Sequence, residues 1–293
     1  MISFDKINHP NWKYPIRYIL LLCFLSVTVV KAQNVNYSPA YFGPNANPVV
    51  EFTDAKIPAQ TTVQLAEDYF WGFGDKTVST KFSVEVPFLS ERISVKGWLT
   101  AFEYYNVTET VSAERGMYNS NTKGTAVGDF YLQTRILVFR ETKWVNLILN
   151  STLKTASGTK FRERRYFDTP GYYFDIELGK SIHLKNRQIS EIRGVLDYGF
   201  LCWETTNSCQ NDAFMQGGKI ILSNKYVDFE NSLSGYRGWK RNGDNPLVYA
   251  SKLVFKTNSV KYHLMYQYGI KDFPYHHILA GLSIGLKKLT PNY

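Results

Sequence analysis

The chain has 293 residues, 44% of them hydrophobic and 16% aromatic, enough for a single domain. Its formal net charge is +9, but the cations are dispersed and the clustered basic face of a nucleic-acid-binding protein is absent. Beyond the N-terminal segment no run approaches about 18 uninterrupted apolar residues, which excludes helical membrane spans.

The N-terminus reads as an export signal. Lys6, Lys13 and Arg17 lead into an apolar stretch, Tyr18 to Val30, broken only by Ser26 and Thr28. Val30-Lys31-Ala32 before Gln33 approximates a small-residue cleavage site. The stretch is short for a spanning helix, which needs about 20 residues. Leu21-Leu22-Cys23-Phe24 lacks the small residues of a lipoprotein box, so no lipid anchor is expected. Cleavage after residue 32 removes four Lys+Arg and one Asp+Glu and leaves a net charge of +6.

Residues 33–58 carry Pro39, Pro44, Pro48 and Pro58 with little periodicity. They are expected to form an extended periplasmic N-terminal segment, with room to tuck into the mouth of the domain C-terminal to it. Residues 59–293 then read as twelve strands: 60–71, 77–88, 92–106, 127–139, 143–155, 172–182, 188–202, 213–223, 226–238, 247–257, 259–270 and 276–289. Their connections alternate. Ser90–Glu91, Arg140–Thr142, Lys185–Gln188, Asn224–Lys225 and Thr257–Asn258 are short. Residues 107–126, 156–171 and 203–212 are long, and 239–246 is medium-long. Short periplasmic turns, longer outside loops and an even strand count belong to outer-membrane barrels.

Within the strands the period is two, which sends alternate side chains to opposite faces. From Val260 to Ile270, one face carries Val260, Tyr262, Leu264, Tyr266, Tyr268 and Ile270. The other carries Lys261, His263, Met265, Gln267 and Gly269. Val78, Phe82, Val84, Val86 and Phe88 oppose Ser79, Lys81, Ser83 and Glu85 in the same way. Lys180 breaks the pattern by falling on an apolar face. Near a strand end its stem can snorkel to the headgroups, whereas at the midplane it would cost about 2–4 kcal/mol. Lipid offers no partner to an open sheet edge, so the last strand must pair with the first. The expectation is an all-β, antiparallel up-and-down transmembrane β-barrel of about twelve strands, in a bacterial outer membrane with both termini periplasmic.

The candidate lumen-lining residues are Lys81, Glu85, Asp129, Arg135, Asp175, Glu177, Arg193, Asp197, Lys252, Lys256, Lys261 and His263. Both signs occur on neighbouring strands. Two readings stand: ion pairs filling a narrow interior, or a solute path lined by both charges. Lys160, Arg162, Arg164 and Arg165 are expected at a solvated loop tip, with a contact to anionic lipopolysaccharide or an anionic solute as the alternative. Cys202 and Cys209 bracket one loop and read as a disulfide in an oxidising compartment, or else as two free thiols.

No catalytic site, metal site or cofactor is expected. A barrel hydrolase needs a Ser nucleophile with a nearby His base. His183 with Ser181 has that spacing in reverse order, at a predicted periplasmic turn. His276 and His277 are adjacent, so they point to opposite faces and cannot chelate one ion from their strand alone. Their expected setting is a solvated loop end near Tyr275. There is no phosphate-cradling Gly loop and no dinucleotide fingerprint.

At Tyr41-Phe-Gly-Pro-Asn-Ala-Asn-Pro48 the chain resembles a group of uncharacterised outer-membrane β-barrel proteins common in Bacteroidetes. The likeness continues at Gly128-Asp-Phe-Tyr131, Leu153-Lys-Thr-Ala-Ser-Gly158, Asp168-Thr-Pro-Gly-Tyr-Tyr-Phe-Asp175, Asn211-Asp-Ala213 and Asn242-Gly-Asp-Asn-Pro246. More distantly it is similar to the barrels of the aromatic-degradation meta pathway and to fatty-acid-transport porins. The resemblance implies passage of small, often apolar molecules and carries over no catalytic residues. The functional expectation is a passive conduit or binding barrel for a small solute, with outer-membrane lipid and lipopolysaccharide as neighbours. The alternative is a structural or adhesive surface protein with an occluded lumen, using loops 107–126 and 156–171. An outer-membrane lipid hydrolase ranks below both.

Overall fold

The computed structural model describes residues 39–89, 91–117, 120–142, 144–185, 188–203, 212–239 and 243–291. The strands are β1 (Thr61–Gly72), β2 (Asp75–Phe88), β3 (Ile93–Val107), β4 (Lys123–Ala126), β5 (Phe130–Phe139), β6 (Asn146–Lys154) and β7 (Gly171–His183). After these come β8 (Glu191–Trp203), β9 (Asp212–Ser223), β10 (Val227–Gly238), β11 (Leu247–Lys256), β12 (Val260–Lys271) and β13 (His276–Leu286). One short helix, α1 (Glu109–Glu114), is capped at Thr108, whose hydroxyl accepts from the Val111 N–H.

Every strand runs antiparallel to its neighbours, and β13 pairs with β1 to close the sheet. The upper part of β3 pairs with β4 and its lower part with β5, so these two short strands share one position in the wall. The wall is therefore a closed twelve-strand antiparallel barrel.

The sequence pattern places one strand at 127–139 and a loop before it. The structure instead breaks that position at residues 127–129. There the loop after β6 supplies the missing bonds. Val127 N–H donates to the Thr159 hydroxyl at 2.9 Å, Thr159 N–H donates to the Val127 carbonyl at 2.9 Å, and Phe130 N–H donates to the Ser157 hydroxyl at 2.9 Å. Gly128 sits in the break, where a Cβ would lie 2.6 Å from Thr100 and 2.8 Å from the Tyr166 hydroxyl. The turn between β1 and β2 needs Gly74 at φ +69°, a backbone angle that L side chains rarely adopt.

The outer face is apolar. Leu65, Phe82, Ile176, Leu196, Leu264 and Ile278 are all exposed on it, whereas Thr77, Ser79, Thr152 and Glu177 on inward positions are buried. Aromatic side chains stand out near both rims: Trp144 and Tyr226 beside short turns, and Trp239 at the end of β10 on the long-loop side. A soluble barrel would have the opposite distribution. Lys180 lies near the short-turn end of β7, where its ammonium donates to the Trp144 carbonyl at 2.6 Å and lies 3.5 Å from Glu141. Its stem crosses the apolar face while its charge reaches the rim.

With this register, Leu264→Arg should destabilise the barrel in phospholipid vesicles by about 2–4 kcal/mol. Urea unfolding followed by tryptophan fluorescence measures the loss. An unchanged midpoint would mean that Leu264 does not face lipid.

Candidate functional site in the barrel interior

Residues 39–58 run inside the barrel along its length. At the long-loop end Gly43 N–H donates to the Arg164 carbonyl at 2.8 Å, and Tyr275 donates to the Phe42 carbonyl at 2.7 Å. Midway, Glu177 of β7 accepts three bonds: from Thr53 N–H at 2.9 Å, the Thr53 hydroxyl at 2.7 Å and Ala55 N–H at 3.0 Å. Lys219 donates to the Phe52 carbonyl at 2.6 Å. Lower down, Arg193 donates to the Asp54 carbonyl at 2.6 Å and Asn146 to the Ala55 carbonyl at 3.0 Å. Lys56 reaches Glu191 at 3.1 Å near the short-turn end. Turns within the segment bond Phe42 N–H to the Pro39 carbonyl and Ala46 N–H to the Gly43 carbonyl, but its extended part has no neighbouring strand, so wall side chains must satisfy amides and carbonyls there.

The long-loop end is shut by two layers. The first is ionic. Arg165, at 0% exposure, lies 2.7 Å from Asp75 and 2.8 Å from Glu103, and Arg115 lies 2.6 Å from Asp75. Asn45 of the interior segment donates to Glu103 at 2.7 Å, as does Tyr166 at 2.8 Å. Burial by itself would lower the Arg165 pKa; Glu103 and Asp75 outweigh it and hold the guanidinium charged. Burial and the Glu103 charge push the Tyr166 phenol well above its usual range, so it stays a donor. Gly43 packs against this arginine, where a Cβ would lie 2.5 Å from Cζ. The second layer is aromatic. Phe70, Tyr131, Tyr173, Trp203, Tyr236, Phe273 and Tyr275 pack with Val49 across the interior.

Below these layers a cavity of about 970 Å³ lies between the interior segment and the wall, lined mostly by β9 to β13 with further residues from β1, β2, β3, β5 and β8. It reaches residues of the short turns, among them Ser190, Asn224 and Tyr226. Glu85, Arg135, Arg193, Lys252, Lys256, Lys261 and His263 line it.

Several of the lumen-lining candidates form ion pairs or networks. Lys81 lies 3.3 Å from Asp68, and Lys154 lies 2.7 Å from Asp129. Arg135 bridges Glu85 at 2.8 Å and Glu177 at 3.4 Å, and it also donates to the Thr53 hydroxyl. Asp175 accepts from Asn150 at 2.5 Å. Asp197 is buried directly opposite Glu177 across β7 and β8. Arg193 pairs with Glu141 at 2.9 Å as well as holding the interior segment. Lys256 pairs with Asp228 at 2.6 Å.

Two expectations change. His276 and His277 do not sit at a solvated loop end, because Tyr275 and His277 are both buried at 1% exposure. His277 bonds Asp68 and stacks on Phe70, while His276 faces outward against Trp71 and bonds Tyr266 at 2.9 Å. The loop before β13 folds inward because its aromatics fill the barrel end. The basic run also divides. Lys160 and Arg162 are exposed, but Arg165 turns inward because Asp75 and Glu103 need a cation. Cys202 lies at the end of β8, and Cys209, like the whole signal segment, falls outside the described residues.

A His–Ser pairing occurs across strands rather than along one, where spacing within a strand gives no sign of it. His263 Nε2 lies 2.8 Å from the Ser283 hydroxyl. Its Nδ1 has no hydrogen-bond partner among the described residues, so no carboxylate orients it as a base. Ser181 donates to Glu191 at 2.7 Å and accepts from Arg193 at 2.6 Å, while His183 is exposed. No group of three or more metal-ligating side chains occurs among the described residues. The interior segment's anchoring residues were also missed, because nothing in a Pro-rich, aperiodic stretch signals which wall carboxylate it will meet.

No protein-family model matches the chain, and no curated protein matches it. Solved structures do. An outer-membrane channel from Pseudomonas putida F1 superposes with a TM-score of 0.55 at 10% identity, over 81% of this chain and 100% of that one. The NanC porin gives 0.53 at 9% identity, over 76% and 100%. The transport unit of the autotransporter AIDA-I from Escherichia coli gives 0.50 at 9% identity, over 85% and 97%. At such identities the likeness is one of fold, that of the outer-membrane β-barrel.

Arg165→Ala leaves the buried Glu103 without its cation and Asp75 with Arg115 alone, and should cost about 3–5 kcal/mol. Urea unfolding reads the loss. A loss under about 1 kcal/mol, the level of an exposed pair, would show that water reaches this network.

Proposed function

We propose that the protein is an outer-membrane barrel serving as a passive conduit or binding barrel for a small solute, with its lumen held shut by residues 39–58. The observation that carries this reading is the cavity of about 970 Å³ inside the wall, which reaches residues of the short turns and is blocked at the other end by the aromatic layer. Such a volume suits a small molecule. The apolar exterior and the closed hydrogen-bond ladder fit a lipid surrounding, where an open edge is not tolerated.

The two ends of the wall, Thr61 and Leu286, pair with each other at the short-turn end. Our reading puts that end in the periplasm and the long loops outside, with lipopolysaccharide around them. It also includes cleavage of residues 1–32 and a Cys202–Cys209 bridge. Catalysis has no place in it. The packed aromatic layer favours a second reading, a surface protein whose lumen never opens.

Planar-bilayer recording separates the two. The conduit reading expects rare openings in the unmodified protein and a clear rise in Arg193→Ala, which loses the bonds to Asp54, Ala55 and Glu141. Silence from both proteins, each shown folded by its heat-dependent gel mobility, would leave the surface role. For the topology, tags in 107–126 and 156–171 should be labelled on intact cells and a tag at 185–188 should not; equal labelling refutes it. Non-reducing mass spectrometry should find the Cys202 and Cys209 peptides linked. Alkylation of both thiols in unreduced protein would remove the bridge.

A further inference from the structure

We propose that the β11–β12 wall of this cavity binds a small organic anion, one with an anionic oxygen head and an apolar body. The proposal rests on the solute-binding reading above and names the class of solute. β11 turns Lys252, Val254 and Lys256 toward the cavity, and β12 turns Lys261, His263 and Met265 toward it. Lys256 and Lys261 are direct partners across the two strands. Like charges in that position repel, and only Lys256 has a carboxylate, Asp228, to offset it.

Among the other cations that line the cavity, Lys96 of β3 and Lys225 also form no ion pair within 4.0 Å among the described residues, Lys96 lying in Coulombic reach of Glu85, while four more are paired. Lys56, Arg135, Arg193 and Lys219 are each paired, with Glu191, Glu85, Glu141 and Glu230. Lys252 and Lys261 form no ion pair within 4.0 Å among the described residues. Glu51 of the interior segment lies in Coulombic reach of Lys252, but it shares that charge with Lys81. His263 stands between them, its Nε2 on Ser283 and its Nδ1 without a partner. Lys252 and Lys261 therefore bring two ammonium groups without an ion pair to one wall, where a charge-assisted contact to an oxyanion is strong.

The apolar half of the site adjoins it. Lys252 lies directly across from Met265. Met265 packs with Leu279, Ala66 and Ala250. An anion held at Lys252 and Lys261 would lay its body on this patch. A neutral analogue would keep the apolar contact and lose the head, and a cation would meet repulsion.

Calorimetry on the full chain in detergent at low ionic strength tests this with benzoate, benzamide and benzylammonium. Benzoate should bind at least about tenfold tighter than benzamide, the size of one charge-assisted hydrogen bond, and benzylammonium should not bind. Lys252→Gln with Lys261→Gln should lower benzoate affinity at least about tenfold and leave benzamide unchanged. Lys123→Gln in β4, an exposed position that does not line the cavity, should change neither. Equal affinity for benzoate and benzamide overturns the proposal, as does benzoate binding that survives the double substitution. Should the double variant not fold, the benzoate–benzamide comparison on the unmodified protein decides alone. A barrel that binds benzoate but never conducts refutes the conduit and keeps the site. One that conducts without preferring benzoate does the reverse.

Discussion

An extended chain buried inside a closed barrel has no neighbouring strand to take its amides. In this protein residues 39–58 are in that position, and the wall must answer for them. Glu177 does most: one carboxylate accepts from two backbone N–H groups and a hydroxyl. That leaves a buried negative charge, which Arg135 offsets, and Arg135 in turn is shared with Glu85. Arg193 and Lys219 take the carbonyls of Asp54, Ala55 and Phe52, and their charges require Glu141 and Glu230. Much of the interior charge pattern comes from the need to hold one strand-like segment that belongs to no sheet.

The two ends of the interior are built on different physics. At the long-loop end, Arg165 and Arg115 neutralise Asp75 and Glu103 out of contact with solvent, and aromatic rings complete the seal. Such a network gains little over apolar packing but is costly to break singly, so it fixes one arrangement of loop, segment and wall. At the short-turn end, lysine heads line an open space and face water. The closed upper end and the lower cavity thus divide the barrel interior into a packed half and a partly empty half.

Much of the wall was legible before the fold. Twelve strands, their approximate limits and the alternation of loop lengths all come from period-two patterning, since lipid on one side and polar contents on the other impose opposite demands on neighbouring residues. The inward direction of Glu177 and Arg193 obeys the same rule. What each would touch does not. Glu177 meets Thr53, 124 residues away, and Arg193 meets Asp54, 139 residues away. No periodicity encodes a contact to an aperiodic segment.

The sequence by itself determined the wall: the strand count, the register of faces and the need for closure, because each strand must satisfy lipid locally. The tertiary structure alone decided the contents. It put residues 39–58 through the lumen and turned Arg165 inward while Arg162 stayed out. It broke the fourth wall position at Gly128 and set His263 against Ser283 rather than against a serine of its own strand. Each of these depends on which charges and amides remain unanswered once the wall has closed, a condition set by the whole molecule.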